Sequence, residues 1–382
     1  MIASGLLRSR RRMFVVLLLA LAAEASARGW EPTWSTTLEA VPGRSFLRGA
    51  CVRDGTFYVT AVVTTPEVTD ATPILYSLPV GESTPTAKRL WQGKAVIGPE
   101  NGLSNPVCGP DGVSFVVREA AKGTTDLVRV SEAGRESRRK LANMPLLDLA
   151  ALRSLESGEW LLAATTPARL FVAKPDGDTR ELALGDVAED ESALDACVAP
   201  AGRKVVLLTA AQFDRPVGLL KVRKWDAEFK LEGSREFRGS FGGLVCSPSG
   251  DEIQVLHLQP QGEGTGSFVL ARFGAGLSGP ETNVVDVARI TSLSANGLWT
   301  DGAVDWAVTN YKTPSVYEVP RGASARLVWR DVDPRFGATT TPPSLAALDE
   351  GSLAVVYEAY DRSVKGLPVV LRAVRLKTSD RS

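Results

Sequence analysis

A local pattern occurs seven times along this chain: apolar or small residues, a tight turn with a glycine, and then an alternating apolar run. The turn glycines are separated by 57, 46, 44, 48, 52 and 49 residues, and they are Gly55, Gly112, Gly158, Gly202, Gly250, Gly302 and Gly351. Glycine in an Asp-Gly or Ser-Gly turn supplies the positive φ that a tight hairpin requires. The pattern therefore predicts an all-β chain built from repeated hairpins.

Two further strand-like runs follow these hairpins. In the first repeat they are Pro73–Pro79 and Ala87–Gly93, and in the sixth they are Ser315–Gly322 and Ala325–Val332. Four strands in roughly 50 residues is the size of one β-propeller blade. We therefore predict a single seven-bladed β-propeller over residues 28–376, followed by a polar C-terminal tail at 377–382.

The last repeat is one strand short, because its final strand-like run, Leu367–Leu376, is followed only by the tail. An unpaired strand-like segment, Pro32–Ala40, precedes the first repeat. We expect this N-terminal strand to become the fourth strand of blade seven. Such an arrangement would hide both exposed sheet edges, which otherwise favour aggregation.

Two short motifs resemble known propeller repeats. The turns in "VCGPDG" (Val107–Gly112) and "VCSPSG" (Val245–Gly250) resemble the Ser-Pro-Asp-Gly turn of TolB-like propellers. The stretches "VVREAAKGT" (Val116–Thr124) and "VVYEAYDRS" (Val355–Ser363) are similar to inner hairpins of sialidase-like propellers. The resemblance implies a propeller fold. It implies no activity, because the chain has no intact Asp-box turn, and Arg53–Phe57 lacks the required spacing.

The N-terminus is typical of an export signal. Basic Arg8 and Arg10–Arg12 precede an apolar run, Met13–Ala23, and a small-x-small site, Ala25–Ala27. We predict a signal peptide at residues 1–27 and a periplasmic or extracellular protein. The apolar run is shorter than the roughly 20 residues that span a bilayer, so no membrane span is expected after signal removal. Arg11–Val15 loosely resembles a twin-arginine signal without its lysine, which favours the general secretory route.

Charge excludes some partners. The 44 Lys and Arg residues balance 44 Asp and Glu residues, so there is no electrostatic reason to expect nucleic acid or an anionic membrane surface. The expected partner is a protein or a cell-envelope polymer or glycan.

The four cysteines, Cys51, Cys108, Cys197 and Cys246, precede turn glycines by four or five residues. Export favours disulfides, and pairing between adjacent blades would give Cys51–Cys108 and Cys197–Cys246. Rotational symmetry argues the other way, because side chains at equivalent positions of neighbouring blades do not converge. We therefore expect buried free thiols, with the two disulfides as the alternative.

No motif predicts a catalytic group, a metal or a cofactor. The single histidine, His257, lies in an alternating strand and has no partner histidine or nucleophile elbow in the sequence. "GEGTGS" (Gly262–Ser267) leads into a strand rather than a helix, so it is not a phosphate loop. "KPDGDTRE" (Lys174–Glu181) lacks the later ligands of a calcium loop and predicts a hairpin turn. Trp34, Trp91 and Trp329 are expected to pack between outer strands.

Loops between second and third strands are the expected binding surface, because loops of varied length on a regular scaffold usually carry function. Several of them pair an aromatic residue with charge. The candidate ligand-binding residues are Phe213, Asp214, Arg215, Tyr311, Lys312, Glu358, Tyr360, Asp361 and Arg362.

Two functions are consistent with these features. The first is a non-catalytic exported propeller that binds a protein or envelope polymer through its loop face. The alternative is a sialidase-like or lyase-like glycan-processing enzyme that uses carboxylates and tyrosine at the channel mouth. Its candidate groups are Glu119, Asp214, Tyr357, Glu358 and Asp361, with Arg118 or Arg362 to hold an anionic substrate.

Overall fold

The computed structural model describes residues 30–39, 44–64, 71–81, 85–94, 102–119, 122–144, 148–165, 167–184, 187–188, 190–199, 204–211, 218–262, 264–274, 276–287, 296–300, 304–309, 313–339, 341, 343–349 and 351–378. This part of the chain is all-β and contains no helix. The predicted signal peptide, Gly202 and Gly302 lie outside the described residues. No helix capable of spanning a membrane occurs within the ranges given.

Most strands are short, and they pair antiparallel apart from one parallel contact between Arg44 and Val369. They follow one another in groups of four. The early strands are β1 (Trp30–Glu39), β2 (Arg44–Arg53), β3 (Thr56–Thr64), β4 (Ala71–Pro79), β5 (Lys88–Gln92), β6 (Val107–Gly109), β7 (Gly112–Glu119), β8 (Thr124–Val130), β9 (Glu136–Lys140), β10 (Leu149–Ser154), β11 (Trp160–Ala164), β12 (Arg169–Ala173) and β13 (Thr179–Leu182). Strands β2 to β5, β6 to β9 and β10 to β13 each pair in chain order.

The later strands continue the same scheme. They are β14 (Ser192–Ala199), β15 (Lys204–Ala211), β16 (Gly218–Trp225), β17 (Leu231–Cys246), β18 (Ile253–Gly262), β19 (Thr265–Phe273), β20 (Glu281–Val287), β21 (Asn296–Thr300), β22 (Val304–Thr309), β23 (Ser315–Pro320), β24 (Arg326–Arg330), β25 (Phe336–Ala338), β26 (Ser344–Asp349), β27 (Ser352–Asp361) and β28 (Val369–Thr378). The long strand β17 pairs with β16 through its first half and with β18 through its second half.

The N-terminal strand pairs with the last strand of the chain. β1 lies antiparallel to β28, with Trp34 opposite Arg375, while β28 also pairs with β27 and β27 with β26. The segment predicted at Pro32–Ala40 therefore contains most of a strand that pairs with β28. Its Trp34 and Leu38 are buried in one core cluster with Val59 of β3 and Val356 of β27.

Burial differs between the second and fourth strands of each group. Every residue of β7 is buried, whereas β9 consists of exposed or half-buried residues. A second strand is covered on both faces by neighbouring sheets, so its sequence is a nearly continuous apolar run. A fourth strand lies at the outer edge and carries charge. The core therefore lies between neighbouring groups, as where Val62 of β3 packs with Phe115 of β7.

The expected hairpin glycines have the predicted backbone. Within the described residues, the five of them with positive φ are Gly55, Gly112, Gly158, Gly250 and Gly351. The predicted turn at Lys174–Glu181 is also a hairpin, in which Asp176 accepts a hydrogen bond from the backbone N–H of Asp178 (3.0 Å). "GEGTGS" leads into β19, as predicted. Trp34 and Trp91 are buried, and Trp329 is half-buried 6.1 Å from the Tyr357 ring.

The expectation of free thiols is wrong. Cys51 is bonded to Cys108, and Cys197 to Cys246, with Cα–Cα distances of 5.8 and 5.7 Å. Each bond joins two first strands of neighbouring groups, β2 to β6 and β14 to β17.

Two cysteines that are equally far from their turn glycines are not at equivalent positions of their strands, because the glycines differ in their place in the hairpin. Gly55 lies inside its two-residue turn, whereas Gly112 is the first residue of β7 and pairs with Gly109. The last paired residues before the first turn are Arg53 and Thr56, so Cys51 lies two residues before that pair. The last paired residues before the second turn are Gly109 and Gly112, so Cys108 lies only one residue before that pair. A one-residue difference in register turns a side chain to the opposite face of a strand. The two cysteines are therefore not equivalent, and they can converge.

Candidate functional site

The first strands of the groups surround a central cavity of about 1510 Å³. Residues of β2, β6, β10, β14, β17, β21 and β26 contribute to its wall. Each first strand pairs along most of its inner part with the second strand of its own group only; the further pairings, of Arg44 in β2 with β28 and of the first half of β17 with β16, lie away from the cavity wall. The other edge of each first strand carries backbone N–H and C=O groups that need partners, because unpaired buried groups are costly.

Polar side chains from neighbouring groups satisfy many of these edge groups. Asn105 accepts a hydrogen bond from the backbone N–H of Leu152 (2.8 Å) and donates one to the Leu152 carbonyl (3.1 Å). Arg48 donates to the carbonyls of Leu103 (2.9 Å) and Leu149 (3.2 Å). These side chains connect first strands that have no ladder between them. They are structural ties as well as parts of the cavity wall.

Asp195 forms another of these ties. Its carboxylate accepts hydrogen bonds from the backbone N–H groups of Ala196 (2.8 Å) and Leu244 (3.1 Å) and from the Arg153 guanidinium (2.7 Å). It thus joins β10, β14 and β17. Burial raises the pKa of Asp195, and the neighbouring Arg153 cation opposes that shift.

Glu358, a predicted ligand-binding residue, makes the corresponding tie between the last group and the first. Its carboxylate accepts hydrogen bonds from the Leu47 backbone N–H and from the Thr341 hydroxyl, the latter at 2.7 Å. The side chain is buried beside Arg48. Burial raises the pKa of Glu358 to about 7, although these hydrogen bonds and Arg48 act to lower it.

Other predicted site residues hold the loops in place. Asp361 is buried and accepts a two-pronged interaction from Arg335, with contacts of 3.0 and 2.6 Å. The Arg335 hydrogen bonds hold the pKa of Asp361 well below its usual range. Tyr360 is half-buried, and Arg362 is exposed on the loop after β27. The remaining predicted residues, Phe213, Asp214, Arg215, Tyr311 and Lys312, lie outside the described residues.

Of the groups named for the enzyme alternative, Asp214 lies outside the described residues, and the described ones do not converge on the cavity. Arg118 is paired with Asp148, while Glu119 is paired with Arg138 and Lys122. The Tyr357 hydroxyl donates to Asp331 inside the core, and burial raises the pKa of that tyrosine.

The single histidine packs against a neighbouring phenylalanine in the core and does not line the cavity. His257 is buried, and its ring centroid lies 4.8 Å from that of Phe237. Burial lowers the pKa of His257 to about 4, so the ring is neutral at physiological pH. Among the described residues, the cavity lining contains no histidine or tyrosine, and no group of acidic, histidine or cysteine side chains is arranged to hold a metal ion.

The loop face, in the part that the structure describes, also carries an exposed apolar patch that the sequence did not predict. The connection after β24 and the loop after β27 leave their sheets at the same end. They are joined by the hydrogen bond from the Arg362 N–H to the Arg335 carbonyl (2.8 Å). Three large apolar side chains are exposed on these segments: Val332 (82%), Val364 (46%) and Leu367 (53%). With exposed Arg362 and Lys365 they form what we term the loop-face patch.

Comparisons with known proteins identify the fold alone. No protein-family profile and no curated protein sequence matches the chain. Virginiamycin B lyase from Staphylococcus aureus matches with a TM-score of 0.53 at 10% identity, over 90% of this chain and 99% of that one. The polysaccharide lyase Uly1 matches with a TM-score of 0.56 at 9% identity, over 88% and 90% of the two chains. A luciferin-regenerating enzyme gives 0.50 at 11%, over 91% and 95%. These likenesses, together with the repeated antiparallel sheets, make the fold that of a β-propeller.

Proposed function

We propose that this chain is an exported seven-bladed β-propeller that binds an envelope protein through the loop-face patch and does not catalyse a reaction. The seven blades are the groups of four strands described above, with β1 completing the group of β26, β27 and β28. Contacts between the last and first groups support a closed ring, since Val356 and Ala373 pack with Val59 and Leu78. Two disulfides and the predicted signal peptide support export.

The exposed loop-face patch is the observation that carries the binding proposal. Solitary exposed apolar residues are ordinary, but a cluster next to basic side chains is typical of an interaction site. Val332, Val364 and Leu367 would lose water on binding, and Arg362 and Lys365 would face acidic side chains of the partner. An apolar centre with charge at its border suits a protein surface. A polysaccharide would be expected to meet aromatic platforms instead.

The patch is held in place by buried contacts, which favours a preformed site. Arg335 clamps Asp361, and Asp361 also accepts hydrogen bonds from the N–H (2.9 Å) and hydroxyl (2.6 Å) of Ser363. A loop fixed in this way loses little conformational freedom when a partner binds.

Site-specific photo-crosslinking tests the proposal. A photoreactive amino acid replaces Val364 in the mature protein, and the labelled protein is irradiated with the envelope fraction of its source. We expect one discrete protein adduct, which is lost when Arg362→Glu and Lys365→Glu are added. The matched control places the photoreactive group at Lys230, an exposed residue in the turn before β17. The same adduct from both positions, or an adduct that survives both charge reversals, would refute the proposal.

Carboxylate-based glycan processing is the second candidate, and the raised pKa of Glu358 favours it. A buried carboxyl group with a pKa of about 7, hydrogen-bonded to the backbone of Leu47 in the cavity wall, has the property that a general acid requires near neutral pH. We favour the binding function over catalysis, because both carboxylate oxygens of Glu358 already accept hydrogen bonds, from Leu47 and Thr341. Turnover of an acidic polysaccharide by the mature protein, abolished in a Glu358→Gln variant that is at least as stable as the parent, would establish the enzyme instead.

A further inference from the structure

The central cavity has two chemically different halves. Among the described residues, the charged ones that line it come from β2 to β14 and the segments that lead into these strands: Arg48, Asp148, Arg153, Asp190 and Asp195. The described residues of the opposite half, from β17, β21 and β26 and the segment before β26, are glycine, proline, serine and aliphatic residues, with no charged side chain among them. This asymmetry is separate from the loop-face patch, and the inference drawn from it does not depend on the proposed function.

The charged half presents carboxylate more than guanidinium to the cavity. Arg48 donates to two backbone carbonyls, and Arg153 donates to the Leu152 carbonyl (2.8 Å) and to Asp195. By contrast, the Asp148 side chain is 46% exposed, although it contacts Arg118, and Asp190 is exposed. The most exposed charged side chains on this wall are therefore the carboxylates of Asp148 and Asp190, whereas Arg48 and Arg153 are half-buried.

The uncharged half supplies an apolar surface across the cavity from these carboxylates. Leu244 of β17, Leu298 of β21 and Leu345 of β26 line it. Close approach of the strands here requires glycine, since a Cβ atom at Gly297 would lie 2.3 Å from the Pro343 carbonyl oxygen. Backbone atoms therefore form much of the cavity surface at this point. A cavity of about 1510 Å³ is larger than the roughly 300–1,000 Å³ of a typical small-molecule pocket.

We propose that the central cavity binds a small amphiphile with a cationic ammonium head and an apolar body. The head lies toward Asp148 and Asp190, and the body lies against Leu244, Leu298 and Leu345. Asp148 and Asp190 lie just before β10 and β14, so the head lies near the end of the channel where these first strands begin. The carboxylates select the charge of the head, and the uncharged wall removes the body from water.

Calorimetric titration of the mature protein with defined probes tests this assignment. The probes are decyltrimethylammonium, decyl sulfate and tetramethylammonium, all below micelle-forming concentrations, with near-ultraviolet circular dichroism to verify that the protein stays folded. We expect one site for decyltrimethylammonium, at least tenfold weaker binding of decyl sulfate, and no detectable binding of tetramethylammonium.

Two variants separate cavity binding from adsorption to the surface. Asp190→Asn removes charge from the head region and should weaken the binding of decyltrimethylammonium about tenfold. Asp251→Asn, at an exposed turn of the opposite end, should leave that binding unchanged. Ser344→Trp fills the uncharged half and should weaken every probe that carries a decyl chain. Equal or tighter binding of decyl sulfate, or cationic binding unaffected by both cavity variants, overturns the assignment.

Discussion

The Glu358 carboxylate accepts a hydrogen bond from the backbone N–H of Leu47, and this contact joins the second strand of the last group to the first strand of the first group. The two residues are 311 positions apart in sequence. The contact satisfies an edge group that no strand pairs, and it holds a buried carboxyl group with a pKa of about 7 against the backbone of Leu47, which lines the cavity.

This carboxyl group should make stability fall as pH rises. The pKa of Glu358 is raised in the folded protein from an ordinary value of 4.5 to about 7. Its contribution is therefore fully present below pH 4.5 and is lost as pH rises through about 7. Glu358→Gln keeps an acceptor for Leu47 without the charge. We expect this variant to match the parent at pH 5 and to exceed it at pH 8 by up to about 3 kcal/mol in the free energy of unfolding. A variant less stable than the parent at pH 8 would contradict the burial argument.

His257 should have the opposite effect. Its folded pKa is lowered to about 4 from an ordinary 6.5, so its contribution is present above pH 6.5 and is lost as pH falls toward 4. His257→Leu removes the ionisable ring from an apolar site beside Phe237. Urea unfolding at pH 4.5 and 7.5 should show a smaller loss of stability on acidification than in the parent. An unchanged pH dependence would mean that the ring is not buried.

Each disulfide should contribute about 2–4 kcal/mol, because each closes a loop of about 50 residues. We expect Cys51→Ala/Cys108→Ala and Cys197→Ala/Cys246→Ala to lower the thermal midpoint separately. Reductant should lower the midpoint of the parent but leave the quadruple variant unchanged. Peptide mapping of the unreduced protein should recover both pairs. Four reactive thiols in the denatured, unreduced protein would restore the free-thiol expectation.

Strand β1 should be indispensable to the fold. Trp34 is buried in the cluster shared by β3 and β27, so Trp34→Ala should cost about 3–5 kcal/mol. Thr33→Ala, an exposed neighbour on the same strand, is the matched control. A protein lacking residues 30–39 should aggregate, because β28 would present an open edge. A monomeric truncated protein with the parental thermal midpoint would refute this role for β1.

Much of the fold is predictable from the sequence, since hairpin glycines and apolar runs recur at regular spacing. The segments predicted at Pro73–Pro79 and Ala87–Gly93 contain β4 and β5, and Pro32–Ala40 corresponds to β1. These features are local, and short-range periodicity encodes them.

Contacts between groups were not predictable in the same way. Pairing of Cys51 with Cys108 depends on whether a glycine lies within its turn or in the following strand. Asn105, Asp195 and Glu358 are ordinary polar residues in sequence, and only the approach of neighbouring first strands gives them edge groups to bind. The loop-face patch could not be predicted, because valine and leucine residues in a sequence do not indicate that their side chains are exposed.

Equilibrium binding of the crosslinked partner is the most direct test of the proposed function. The partner identified at Val364 is purified and titrated against the parent, Arg362→Glu/Lys365→Glu and the matched Lys230→Glu. We predict at least tenfold weaker binding for the loop-face double variant and no change for Lys230→Glu, a difference of about 1.4 kcal/mol or more. Equal affinity of the parent and the double variant would contradict the claim that this face binds an envelope protein.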